Sequence, residues 1–114
     1  MPHLVIHCSE NILKVQPVEK ILSTVHDTAD ATGLFRKGDI KVRIQTFTEY
    51  TVGNAKPDFI HVFGYIMQGR STEQKAALSQ SIIAKLSSMF PAVPVVSMNV
   101  SDFEKATYFN RIML

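Results

Sequence analysis

A chain of 114 residues, 46% of them hydrophobic, has the length and apolar content of one small globular domain that can bury a core but would gain from oligomerisation. With 12 basic and 10 acidic residues the net charge is +2, too balanced for a nucleic-acid footprint. No apolar run approaches the ~20 residues of a membrane helix, the opening residues lack the pattern of a secretion signal, and a lone Cys8 excludes a disulfide framework and fits a reducing cytoplasm.

From the amino end, HLVIHC (3–8) alternates with the period of a strand: Leu4, Ile6 and Cys8 fall on one face, His3, Val5 and His7 on the other. In QPVEKILSTVHDTADATG (16–33), Val18, Ile21, Leu22, Val25 and Ala29 follow the i, i+3, i+4 spacing of a helix. Pro17 is expected in its first turn and Gly33 at its stop. DIKVRIQTF (39–47) predicts a second strand, with Ile40, Val42 and Ile44 pointing one way and Lys41, Arg43 and Gln45 the other. After a polar loop (48–57), DFIHVFGYIM (58–67) reads as a strand and STEQKAALSQSIIAKLSSMF (71–90) as a helix. That helix directs Leu78, Ile82, Leu86 and Met89 inward, has Ser71 and Gln74 at capping-box spacing and is closed by Pro91. PVVSMNV (94–100) completes the pattern as a strand.

The chain thus reads as one domain over 1–114, built as β-α-β twice (about 2–47 and 58–100) with a tail over 101–114. Helices of this length between strands favour parallel pairing within each half. The expected fold class is α/β (α+β): a four-stranded mixed sheet with two helices on one face. The other face would carry Lys41, Arg43 and several aromatic or histidine side chains. So much uncovered apolar surface, with Tyr108, Phe109, Ile112 and Leu114 in the tail, predicts a homotrimer.

Four residues could carry chemistry. Pro2 follows an initiator methionine whose removal is expected, and a terminal prolyl amine is a base when neutral. An ordinary α-amino group titrates at about 7.7–8.0, and burial or nearby cations lower that value into the range of a general base. Arg70, in QGRSTEQK (68–75), stands just before a capped helix. There the helix start favours anions, and a guanidinium fork matches a carboxylate. The stretch lacks the glycines and lysine of a phosphate loop. Lys41 and Arg43, two apart on one strand, share a face; they form either a solvated basic stripe or part of an acid-binding site. Together these groups suit a multiply carboxylated small molecule. His3, His7, His26 and His61 do not form a metal site, since His3 and His7 are roughly 13 Å apart on a strand and Cys8 points away. No Ser-His-Asp signature is visible, and the NVS at Asn99 has no meaning as a glycosylation site in a cytoplasmic protein.

Met-Pro opening a strand, the duplicated β-α-β pattern and GRSTEQK opening the second helix resemble the tautomerase superfamily. PHLVIHCSENI, ATGLF followed by the basic strand IKVRI, GRS, and YFN in the tail resemble its 5-carboxymethyl-2-hydroxymuconate isomerase family. The resemblance implies a homotrimer with active sites near subunit boundaries, no cofactor and no metal. It implies keto-enol isomerisation of a carboxylated dienol with Pro2 as the proton-shuttling base and Arg70 binding carboxylate and polarising oxygen. The family's strand arginine falls on Lys41, a departure, and Arg43 matches the arginine two residues later. Phe59 stands near where a second unit's proline would be. Other activities of the superfamily on small oxo-acids (phenylpyruvate tautomerisation, decarboxylation, dehalogenation) remain alternatives, as does a non-catalytic trimeric interaction protein.

Overall fold

Alternating segments become strands and i, i+4 segments become helices in the computed structural model, which describes all of residues 1–114. The order is β1 (His3–Ser9), α1 (Ile12–Val15), α2 (Val18–Ala31), β2 (Lys41–Phe47), β3 (Phe59–Met67), α3 (Thr72–Met89) and β4 (Val95–Phe103). The four strands form one sheet in the order β2-β1-β3-β4. β1 pairs parallel with β2 and β3 parallel with β4, the pairings a crossover helix permits, while β1 and β3 meet antiparallel at the centre.

Leu4, Ile6 and Cys8 of β1 and Ile60, Val62 and Ile66 of β3 are fully buried with Ile21, Val25 and Ala29 of α2 and Leu78, Ile82 and Leu86 of α3. Truncating one of these leucines or isoleucines to alanine would cost about 2–5 kcal/mol. The capping box forms: Ser71 Oγ accepts from the Gln74 amide at 3.1 Å and Gln74 Oε1 from the Ser71 amide at 2.9 Å. Losing such a cap costs about 1 kcal/mol.

Three details differ from the sequence reading. Pro17 is the N-cap of α2 and lies outside its first turn, because its ψ of 145° is extended; its carbonyl accepts from Lys20 and Ile21. α1 is an additional single turn that buries Ile12 and leaves Leu13 and Val15 exposed. β4 continues to Phe103, where Ser101, Asp102 and Phe103 keep pairing with Tyr65, Ile66 and Met67.

The second sheet face has no helix over it. His3, Val5 and His7 and, on β3, Phe59, His61, Phe63 and Tyr65 are partly exposed where their sequence neighbours are buried. Their rings form a row: His7 lies 5.0 Å from Phe47 and from Phe63, Phe63 stacks on Tyr65 at 6.4 Å, and Tyr65 on Phe103 at 6.0 Å. Tyr108 extends the row beside Phe103, whereas Phe109, Ile112 and Leu114 are exposed. No helix is long and apolar enough to cross a membrane.

Candidate active site

Strand direction decides where the site lies. β1 and β2 begin, and β3 and β4 end, at the same end of the sheet. Pro2 is buried immediately before β1, and its carbonyl accepts the Lys41 amide at 3.1 Å, so the chain's first residues are clamped to the start of β2.

Arg70 reaches this end from the opposite half. β3 stops at Met67, and Gly69 turns the chain at φ +121°, a conformation that suits glycine because it has no Cβ. Arg70 Nη2 then donates to the Leu34 carbonyl at 2.6 Å, with its guanidinium carbon 5.3 Å from the centre of the Phe35 ring. Leu34 and Phe35 are delivered by the turn after α2, where Gly33 takes φ +72°. A short 3-10 turn, Lys37–Asp39, follows; the Asp39 carbonyl accepts from Lys41 Nζ at 2.7 Å and its carboxylate lies 3.9 Å from the Met1 amine.

These groups govern the amine. Burial lowers the pKa of the Met1 amino group, Asp39 opposes that, and the positive charges of Lys41, Arg70 and Arg36 lower it further. An amine at this end is therefore biased toward its neutral, basic form.

Arg43 lies apart from this cluster. It is exposed on the uncovered face and donates through Nη1 to His3 Nδ1 at 3.0 Å. With His3, Tyr65 and Phe103 it lines a shallow pocket of about 280 Å³. The His3 imidazole titrates below its ordinary value, first through burial and then through Arg43, Lys41 and the terminal amine. It accordingly keeps the acceptor nitrogen that Arg43 uses. A larger groove of about 710 Å³ between α2 and α3, lined by Asp27, Thr28, Ser81 and Lys85 among others, brings no such cation set together.

Of the four residues singled out from the sequence, Pro2, Lys41 and Arg70 thus share one end of the sheet, and Arg43 stands apart from them on the open face, bonded to His3. Arg36 and Asp39 belong to the same end and were missed. Their only signal was a charged run, RKGD, directly after ATGLF. A second polar group was also missed: Ser97 Oγ and Asn99 Oδ1 lie 2.7 Å from the two ring nitrogens of His61, an arrangement made by the His61–Ser97 register of β3 and β4. No group of three or more His, Cys, Asp or Glu side chains is disposed to hold a metal ion.

The sequence matches the 5-carboxymethyl-2-hydroxymuconate isomerase family over residues 2–111. The chain belongs to this family. It is an isomerase of the tautomerase superfamily. The 5-carboxymethyl-2-hydroxymuconate Delta-isomerase of Escherichia coli is 24% identical to it over 106 residues, which cover 91% of this chain and 84% of that one. A 5-carboxymethyl-2-hydroxymuconate isomerase from Deinococcus radiodurans R1 superposes with a TM-score of 0.84 at 24% identity, covering 96% of this chain and 88% of that one. A fused 4-OT solved as a symmetric trimer superposes with a TM-score of 0.73 at 18% identity, covering 98% and 94% of the two chains. Within the 5-carboxymethyl-2-hydroxymuconate isomerase family frame, the end of the sheet where Pro2, Lys41 and Arg70 meet is the candidate active site. An amine poised as a base beside two cations can remove a proton and stabilise the oxyanion that results.

Proposed function

We propose that the chain, once Met1 is removed, isomerises a muconate-like dienol bearing two or three carboxylates, such as 5-carboxymethyl-2-hydroxymuconate, with Pro2 as the base. The neutral secondary amine takes the enol proton, the O–H electron pair becomes the carbonyl, the double bonds shift along the chain, and the proton returns to carbon at the far end. No electrons are gained or lost. Arg70 holds a carboxylate with its free guanidinium nitrogens and stabilises the oxygen on which charge develops. Lys41 supplies a second positive point, and Arg43 a further cation on the open face.

The observation that carries this reading is the convergence of Lys41, Arg70 and Arg36 on the chain's amino end, where each lowers the basicity of a terminal amine after burial has done so. The uncovered aromatic face supports a homotrimer, the state in which the fused 4-OT was solved. The proposed substrate suits a role in aromatic catabolism, and the lone free Cys8 suits a cytoplasmic setting. Lys41 favours a second reading, a smaller oxo-acid substrate, because lysine keeps the charge but not the two-bond fork of the arginine expected there.

The test compares the processed protein with a form that retains Met1, using dienols that carry one, two or three carboxylates. The processed form should be active, with turnover rising with pH through a midpoint below the ~7.7–8.0 of an ordinary terminal amine. The Met1-bearing form should be nearly inactive, since Pro2 nitrogen is then an amide. Full activity with Met1 in place would overturn the role of Pro2. Gain of triacid turnover in Lys41→Arg would support substrate tuning at that position.

A further inference from the structure

We infer that Arg36 is a specificity residue of this site, binding the outermost carboxylate of a polyacid substrate. This rests on the isomerase reading above and extends it to a residue outside the proposed catalytic set.

Arg36 is fixed from both sides. On one side is Phe35, whose ring packs against the Arg70 guanidinium. On the other is the Lys37–Asp39 turn, in which the Arg36 carbonyl accepts the Asp39 amide at 2.9 Å and the Asp39 carboxylate approaches the Met1 amine. The residue therefore stands at the mouth of the cluster, and its charge acts on the terminal amine.

The cations of the proposed site already have partners. Lys41 Nζ is held by the Asp39 carbonyl, one Arg70 nitrogen by the Leu34 carbonyl, and Arg43 by His3. The Arg36 side chain makes no hydrogen bond or ion pair, and the residue is exposed. Unlike the guanidinium groups of Arg70 and Arg43, that of Arg36 has its whole planar fork free, and a fork matches carboxylate in two parallel bonds. With Lys41 reduced to a point charge, Arg36 supplies the second planar contact that a substrate with more than one carboxylate can use.

The processed protein, Arg36→Gln and the neighbouring control Lys37→Gln should be compared in two ways. In steady-state kinetics, Arg36→Gln should raise KM for a three-carboxylate dienol about tenfold and for a one-carboxylate dienol no more than about twofold, any change in kcat from the amine's altered basicity being common to both substrates. In calorimetry, its affinity for an inert saturated tricarboxylate should fall by a similar factor of about ten, and Lys37→Gln should match wild type. Unchanged tricarboxylate affinity in Arg36→Gln would overturn the inference. So would equal losses for all the acids, or the same loss in Lys37→Gln, since either indicates diffuse charge rather than a contact. If the wild-type protein turned over none of the dienols, the isomerase reading would fall while the calorimetry still decided the role of Arg36.

Discussion

Arg70 and Leu34, 36 positions apart in the chain, are joined by a 2.6 Å hydrogen bond from Nη2 to the carbonyl oxygen. The bond ties the turn after β3 to the turn after α2, so the two β-α-β halves are locked together where the proposed chemistry occurs. It also fixes the guanidinium on the Phe35 ring, leaving its other nitrogens for substrate.

Arg70→Ala should therefore lower kcat and raise KM together, with kcat down about 10²- to 10³-fold if the guanidinium stabilises developing charge. Arg70→Lys should recover only part of this, because an ammonium cannot both hold Leu34 and fork a carboxylate. A rise in KM alone would reduce Arg70 to uniform binding.

Gly69 permits that geometry. At φ +121° an alanine is strained even though nothing lies within 4 Å of its Cβ. Gly69→Ala should cost about 1–3 kcal/mol of backbone strain or else move Arg70. Kinetics and thermal melts should show activity falling several-fold alongside a drop of a few degrees. Wild-type values for both would mean that the turn is not needed.

His3 should make stability depend on pH. Its folded pKa is held below the ordinary 6.5 by burial, with Arg43, Lys41 and the terminal amine adding to the effect. As pH falls through about 6.5 the unfolded chain takes up a proton that the native imidazole refuses. The contribution is complete above that pH and is lost as pH falls toward the lowered folded value. Denaturant titrations between about pH 7 and 5.5 should give a shallower slope for His3→Gln than for wild type. Equal slopes would remove His3 from the account.

Cys8 should be inert in the folded protein. The side chain is fully buried, and burial pushes its thiol up to about 11. At pH near 8 a thiol reagent should label the native protein only as fast as it opens, and label one thiol per chain after denaturation. Rapid native labelling would contradict the buried position.

Much of the fold was legible because its signals are local. The alternation of residues 3–8 and the Ser71–Gln74 spacing need only a few neighbours to act, and both became the expected structures. α1 was not legible, since one turn is too short to show a period, and residues 101–103 join β4 only because β3 offers them partners. The site divides in the same way. Arg70 and Lys41 stood out by position beside a helix start and on a strand. Arg36 and Asp39 gain their meaning from the turns at Gly33 and Lys37–Asp39, and His61 meets Ser97 and Asn99 only through strand register. Those relationships exist after folding and not before.

The antiparallel meeting of β1 and β3 gives the sheet a second end, built from the start of β3 as the first is built from the start of β1. There Asp58 stands immediately before β3 as Pro2 does before β1; its nitrogen lies inside the chain, and its carboxylate accepts from Ser9 Oγ at 2.9 Å. An interior amide has no basic lone pair, so the twofold likeness of shape stops short of reactivity. A base of the kind proposed for Pro2 is therefore confined to one of the two sheet ends, although both are built on the same β-α-β pattern.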